Sequence, residues 1–137
     1  GPMFEGLGED TEIWVDGGHN GDAARVIADA VRAWTKTAPD RAIHLIFGTL
    51  NSRDPKEYLA AFKNIVGQVR AVTIPGETNS ITAEDAAKAG HHVGLDAAAS
   101  PSVAEAVRTI TATSRNPKTI LICGSLYLAG TVLRDHG

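Results

Sequence analysis

The sequence predicts an α/β protein, a doubly wound and mostly parallel sheet of five or six strands with helices on both faces. Short apolar, β-favouring runs alternate with amphipathic helical segments roughly five times, the pattern of repeated β-α units. The runs are apolar almost throughout rather than at every second position, as expected of strands covered on both sides. Glycine, proline, asparagine and aspartate punctuate the junctions.

Size and composition agree with one soluble domain. The chain has 137 residues, 43% hydrophobic and 21% charged, the balance of a globular protein. Gly1-Pro2 ahead of Met3 reads as the scar of a cleaved expression tag, leaving residues 3–137 as a single domain. Thirteen Lys and Arg stand against 16 Asp and Glu, a net charge of −3. That leaves no basic surplus for a nucleic-acid partner. No apolar run approaches the ~20 residues of a membrane span and no signal peptide opens the chain, so a cytoplasmic location is expected. Cys123 is the only cysteine. It lies in an apolar run and reads as a buried, inert thiol.

The elements follow in order. Glu12-Ile13-Trp14-Val15-Asp16 is a strand running into Gly17-Gly18-His19-Asn20-Gly21. Ala24, Ile27, Val31 and Trp34 then recur at helical spacing, with Arg25, Asp29, Arg32 and Lys36 on the solvated side. Residues 42–47 form the second strand, in which His44 reads as a core residue. Asp54-Pro55-Lys56-Glu57 has a capping acid, proline at the first helical position and a glutamate at the third. It predicts a helix with Tyr58, Leu59, Phe62, Ile65 and Val66 turned inward. Residues 69–74 form the third strand, and Thr82 opens an alanine-rich helix ending near Gly90, with His91-His92 at its end rather than in a metal site. Val93-Gly94-Leu95 predicts a weak fourth strand, and Ser100-Pro101 a helix with Val103, Val107 and Ile110 inward. Residues 119–123 are the clearest buried strand, leading through Gly124-Ser125 into a last helix carried by Leu126, Ala129 and Leu133.

In such a sheet ligands bind beyond the carboxyl ends of the strands. The loop from Asp16 to Asp22 sets a carboxylate, an imidazole and an amide among glycines, a set able to hold a ribose hydroxyl, a phosphate or another anion. A tight turn, with Asp16 as a cap and His19 packed over the sheet, fits the same residues equally well. Arg53 offers a planar fork suited to carboxylate or phosphate, or is a surface arginine beside a helix cap. Ser125, where the last strand meets the last helix, is a ligand contact or an N-cap. The glycines at 17, 18 and 21 do not fit a dinucleotide fingerprint, and with no Gly-Lys dipeptide there is no P-loop.

Trp14-Val15-Asp16-Gly17-Gly18-His19-Asn20, Gly48 with Arg53-Asp54, and Leu121-Ile122-Cys123-Gly124-Ser125-Leu126-Tyr127-Leu128-Ala129-Gly130 together resemble the C-terminal domain of dihydrofolate synthase/folylpolyglutamate synthase, a branch of the Mur ligase superfamily. The resemblance covers nearly the whole chain in one order. It implies a Rossmann-like domain of an ATP- and magnesium-dependent ligase that joins L-glutamate to dihydropteroate or a folate through an acyl phosphate, releasing ADP and phosphate. By the same resemblance Asp16 and His19 hold ATP, Asp16 through its ribose. His19 and Asn20 line the junction of ATP and glutamate as catalytic candidates, and Arg53 and Ser125 hold the glutamate. No metal ligand is assigned to this chain. The family's P-loop, magnesium ligands and most of its folate site belong to an N-terminal domain absent here, so the isolated domain is expected not to turn over. Two departures stand out: Gly21 replaces the proline common after the motif's asparagine, which loosens the turn, and Arg53 replaces a common lysine. A free-standing module that binds a nucleotide or amino acid is the alternative, supported by the missing P-loop.

Overall fold

A computed structural model describes residues 10–115 and 117–136. Five strands, β1 (Thr11–Val15), β2 (Ala42–Phe47), β3 (Gln68–Ala71), β4 (Asp96–Ala99) and β5 (Lys118–Cys123), form one sheet among these residues. The order is β1-β5-β2-β3-β4, with every ladder parallel. The five intervening and following helices are α1 (Gly21–Thr37), α2 (Pro55–Ala60), α3 (Ala83–His92), α4 (Val103–Thr113) and α5 (Leu126–His136). The expected doubly wound α/β architecture is present.

Alternation within each strand divides the interior in two. Leu45, Phe47, Leu121 and Cys123 point to the side covered by α1, α2 and α3, where Ala24, Val31, Leu59 and Phe62 meet them. Their neighbours Ile46, Ile120 and Ile122 point the other way, onto Val103, Val107, Ile110, Leu128 and Val132 of α4 and α5. All six residues of β5 are buried, because it lies between β1 and β2 with helices on both faces.

Several expectations need correction. The fourth strand is 96–99, not 93–95: Val93 caps α3, and Gly94, at φ +89°, turns the chain before pairing with β3 begins. An Asp-Ala-Ala-Ala run has little intrinsic β preference; the register with Gln68 to Ala71 supplies it instead. The helix before it extends past Gly90 through His92, leaving both histidines exposed. In α5 the buried positions are Leu128, Ala129 and Val132, while Leu126 and Leu133 are 67% and 58% exposed. Counting the helical period from Leu126 placed that face out of phase.

The helix opened by Asp54 ends at Ala60, so Phe62, Ile65 and Val66 reach the core from the turns that follow it, and the third strand spans 68–71 rather than 69–74. Tyr58, Leu59 and Phe62 are buried, and Ile65 and Val66 pack partly buried against the same core. His44 is a core residue, 5% exposed. Its Nδ1 accepts the Gln68 N–H at 2.8 Å, which leaves the proton on Nε2, 2.7 Å from Ser114 Oγ. Burial, and then the charges of Lys118 and Arg70, hold its ring below the ordinary 6.5.

Candidate active site at the carboxyl edge of the sheet

Because β1, β5 and β2 are adjacent, the segments that follow them, 16–20, 124–125 and 48–54, converge at one end of the sheet. The Asp16 N–H continues the ladder to Ile122 O at 2.9 Å, and the Gly48 N–H reaches Cys123 O at 3.2 Å. Gly124, at φ +107°, turns the chain out of β5, and a Cβ there would lie 2.6 Å from Gly48 O. Only glycine permits that approach.

Asp16 bends back on its own loop, with Oδ2 accepting the Gly18 N–H at 2.8 Å. A Cβ on Gly18 would lie 2.6 Å from the Ala23 methyl, so the glycine seats the loop on α1. Asn20 is the N-cap of α1, its Oδ1 accepting the Ala23 N–H at 2.8 Å. Gly21 begins the helix with the Glu57 carboxylate in the space a Cβ would take.

His19, Arg53 and Ser125 line one hollow of about 110 Å³, together with Leu50, Leu126 and Tyr127. Nδ1 of His19 is buried there without a hydrogen-bond partner. Ser125 is 3% exposed, and its Oγ accepts the Tyr127 N–H at 3.0 Å, so it caps α5 as well as lining the hollow. The Arg53 backbone N–H bonds to Leu50 O at 3.1 Å, and its exposed guanidinium forms no ion pair among the described residues. A charged fork, the His19 ring and the positive end of an 11-residue helix thus border one space. That combination suits a small carboxylate or a phosphate.

The structure thus brings together three of the five residues singled out in the sequence. Asp16 and Asn20 sit beside the hollow on the same loop but outside its lining. Leu50, Leu126 and Tyr127 were not singled out as site residues. The signal for the last two was an apolar pair directly after Gly-Ser, where a helix start is usually polar. Loop 48–51 is held in place by a bridge from Leu50 to Ser80, the Asn51 N–H to Asn79 O at 2.7 Å and the Ile81 N–H to Thr49 O at 2.9 Å.

Beneath the loop lie Cys123, whose thiol burial pushes up to about 12, and Tyr58, whose phenol burial also raises, with Cys123 and Asp16 adding to the effect. Neither ionises near neutrality. Among the described residues there is no group of three or more His, Cys, Asp or Glu that could hold a metal ion. An anion fits the Arg53 guanidinium and the N-terminal end of α5. No described helix is long and apolar enough to cross a membrane.

The fold is that of a doubly wound α/β domain, and the chain belongs to the family described as "Mur ligase, glutamate ligase domain", whose model matches residues 4–126. Among solved structures it is similar to E. coli FolC in complex with DHPP and ADP, at 23% identity and TM-score 0.78, covering 96% of this chain and 30% of that one. It is similar also to Mycobacterium tuberculosis folylpolyglutamate synthase complexed with ADP, at 19% identity and TM-score 0.75, covering 91% and 30%. A third is the Yersinia pestis bifunctional folylpolyglutamate synthase/dihydrofolate synthase family of structures, of which one complexed with AMPPNP and Mn shares 18% identity and TM-score 0.71, covering 91% of this chain and 28% of that one. The chain therefore spans about 30% of the length of the structures it matches. No curated protein matches it significantly.

Proposed function

We propose that this chain is the glutamate-ligating domain of an ATP-dependent folate ligase, a cytoplasmic dihydrofolate synthase/folylpolyglutamate synthase. The observation that carries the reading is the convergence of His19, Arg53 and Ser125 on one hollow at the carboxyl edge of the sheet.

In this reaction the carboxylate of dihydropteroate or a folate takes the γ-phosphoryl group of ATP, giving an acyl phosphate and ADP. The amino nitrogen of L-glutamate then attacks the acyl carbon. The carbon–oxygen bond to phosphate breaks, phosphate leaves and the amine loses a proton. Arg53 and the N-terminus of α5, with Ser125, are placed to hold a glutamate carboxylate and so fix the amine's direction of attack. His19 Nδ1 is free to accept a hydrogen bond or a proton from the amine, and Asn20 holds the helix start that aims it. Asp16, with one carboxylate oxygen uncommitted among the described residues, receives a ribose hydroxyl. The exposed Leu126 and Tyr127 form the rim that a second, ATP-binding domain with its own P-loop and magnesium ligands would cover, excluding water from the acyl phosphate. The domain by itself binds without turning over.

The test is glutamate-dependent ADP release by the protein that joins this chain to a P-loop domain. Asp16→Ala and His19→Ala are expected to cut the rate at least about a hundredfold with the fold intact. Ser125→Ala and Arg53→Ala are expected to raise the KM for glutamate more than that for ATP. Equal changes in both constants would make Arg53 and Ser125 structural. If the natural reading frame carries no upstream P-loop domain, the ligase assignment falls in favour of a free-standing nucleotide- or amino-acid-binding module.

A further inference from the structure

Helix α5 is apolar on two sides, and the domain uses one of them. Leu128 and Val132 pack into the core shared with α4. The other side carries Leu126, Gly130 and Leu133, spaced at i, i+4 and i+7 and therefore on one stripe. Leu126 and Leu133 are 67% and 58% exposed, Gly130 is exposed, and Tyr127, 53% exposed, stands at the shoulder. The charged Arg134 and Asp135 come only after the stripe and pair with each other. The outer side of α1 has the ordinary solvated composition by contrast, with Arg25 and Arg32 ion-paired to Asp22 and Asp29. A helix that is apolar all round is one that is covered all round.

Gly130 supports the same reading. Glycine is the poorest helix former after proline, and a Cβ at this position would meet nothing within 4 Å. At Gly18, Gly90 and Gly124, by contrast, a Cβ would lie 2.6 Å from another atom of the domain. Nothing within the described residues therefore calls for glycine at 130. Bare backbone in the middle of an apolar stripe lets a second backbone come close. The stripe is also continuous with the candidate site. Leu126 lines the hollow beside His19, Arg53 and Ser125, and its Cδ1 would lie 3.1 Å from a Cβ on Gly17, so it is seated on the loop that follows β1. From Leu126 to Leu133 the helix carries the apolar surface about 10 Å down the side of the domain.

We propose that the Leu126–Gly130–Leu133 stripe is the docking surface for the ATP-binding domain of the same polypeptide, which meets it with an uncharged, apolar surface whose backbone comes closest at Gly130. The proposal rests on the reading of this chain as the ligating part of a two-domain ligase, and extends the covered surface from the rim of the hollow to the middle of α5. Two observations favour that occupant. The stripe begins at a residue of the hollow itself, and the chain spans about 30% of the length of the structures it matches. Closure over the hollow and docking on the stripe are then one event.

Cys123 is buried and its thiol is pushed up to about 12, so a thiol placed by Leu133→Cys is the reactive one in this chain. Its alkylation by iodoacetamide, read by mass spectrometry on the peptide that carries it, is compared between the chain alone and the protein that joins it to a P-loop domain, with ATP and glutamate present. Arg32→Cys, on the solvated side of α1, is the control. Joining is expected to slow alkylation at 133 at least about tenfold and to change it at 32 by less than about twofold. Equal rates at 133 overturn the proposal. Protection in the chain alone that grows with its concentration also overturns it, by making a second copy the occupant. Gly130→Leu, a good helix former at an open position, is expected to leave the urea midpoint of the chain alone unchanged or higher. In the joined protein it is expected to slow glutamate-dependent ADP release at least about tenfold. A lower midpoint in the chain alone would make Gly130 structural and overturn the close approach. If 133 is protected but glutamate drives no ADP release, the ligase reading fails and the docking surface stands. If glutamate drives release and 133 stays open, the reading stands and the docking surface falls. A natural reading frame without a P-loop domain removes both.

Discussion

The two ends of the sheet treat their polar groups in opposite ways. At the amino end, Arg41 Nη1 reaches Lys118 O at 2.7 Å and Asp10 O at 3.1 Å, Lys118 Nζ reaches Ser114 O at 3.2 Å, and both ring nitrogens of His44 are engaged. At the carboxyl end, His19 Nδ1 is buried and unpartnered, the Tyr58 hydroxyl lies against Cys123 and the Gly124 backbone, and the Arg53 guanidinium stands open. Buried polar groups ordinarily find partners because leaving them unpaired is costly. The amino end, with the Thr111 hydroxyl on the last turn of α4 as its exception, is satisfied within the fold and serves stability, whereas the carboxyl end keeps polar groups uncommitted.

That contrast can be broken most severely through the backbone. Gly124→Ala forces a side chain into the left-handed region and against Gly48 O, and is expected to lower stability by roughly 2–4 kcal/mol in urea unfolding. A loss under about 1 kcal/mol would mean that the carboxyl end relaxes more easily than its geometry implies.

At the amino end, His44→Ala leaves the Gln68 amide and Ser114 hydroxyl without partners, an expected loss of about 2 kcal/mol. The same group sets a pH dependence. Its folded pKa lies below the unfolded 6.5, so its contribution is present above 6.5 and is lost as the pH falls through the folded value. Thermal melts of the wild type should show Tm decreasing as the pH is lowered below 6.5, with a shallower slope in His44→Ala. Parallel slopes would remove His44 as the cause.

The smallest effect on stability is expected at the residue most exposed to the ligand. Arg53→Ala should change the unfolding free energy by no more than about 0.5 kcal/mol, while weakening L-glutamate binding, measured by calorimetry, about tenfold. A large loss of stability there would erase the distinction between the two ends.

How much of this was legible in the sequence depends on the range of the interactions involved. Continuous apolar runs announced β2 and β5, helical spacing announced α1, and Asn20, Asp54 and Thr82 announced the starts of α1, α2 and α3, because these signals are local. The strand 96–99 was missed because its identity comes from pairing with β3 across intervening chain. The convergence of Arg53 and Ser125 with His19 could be expected from the β-α alternation, since strand ends share one edge. The exposed rim of Leu126 and Tyr127 could not, because a helix's buried face is set by where it docks.

The strand order also governs how the molecule comes to be. β5 lies between β1 and β2, pairing Lys118 with both Thr11 and Ala42. During synthesis β1 therefore has no sheet neighbour until β5 has been made. Until then Trp14, 5.3 Å from Trp34, sits on a strand without that partner. Closure by sequence-distant parallel pairing is slow. Chains halted before residue 118 would leave β1 separated from the β2-β3-β4 half, exposing adhesive edges to chaperones and proteases.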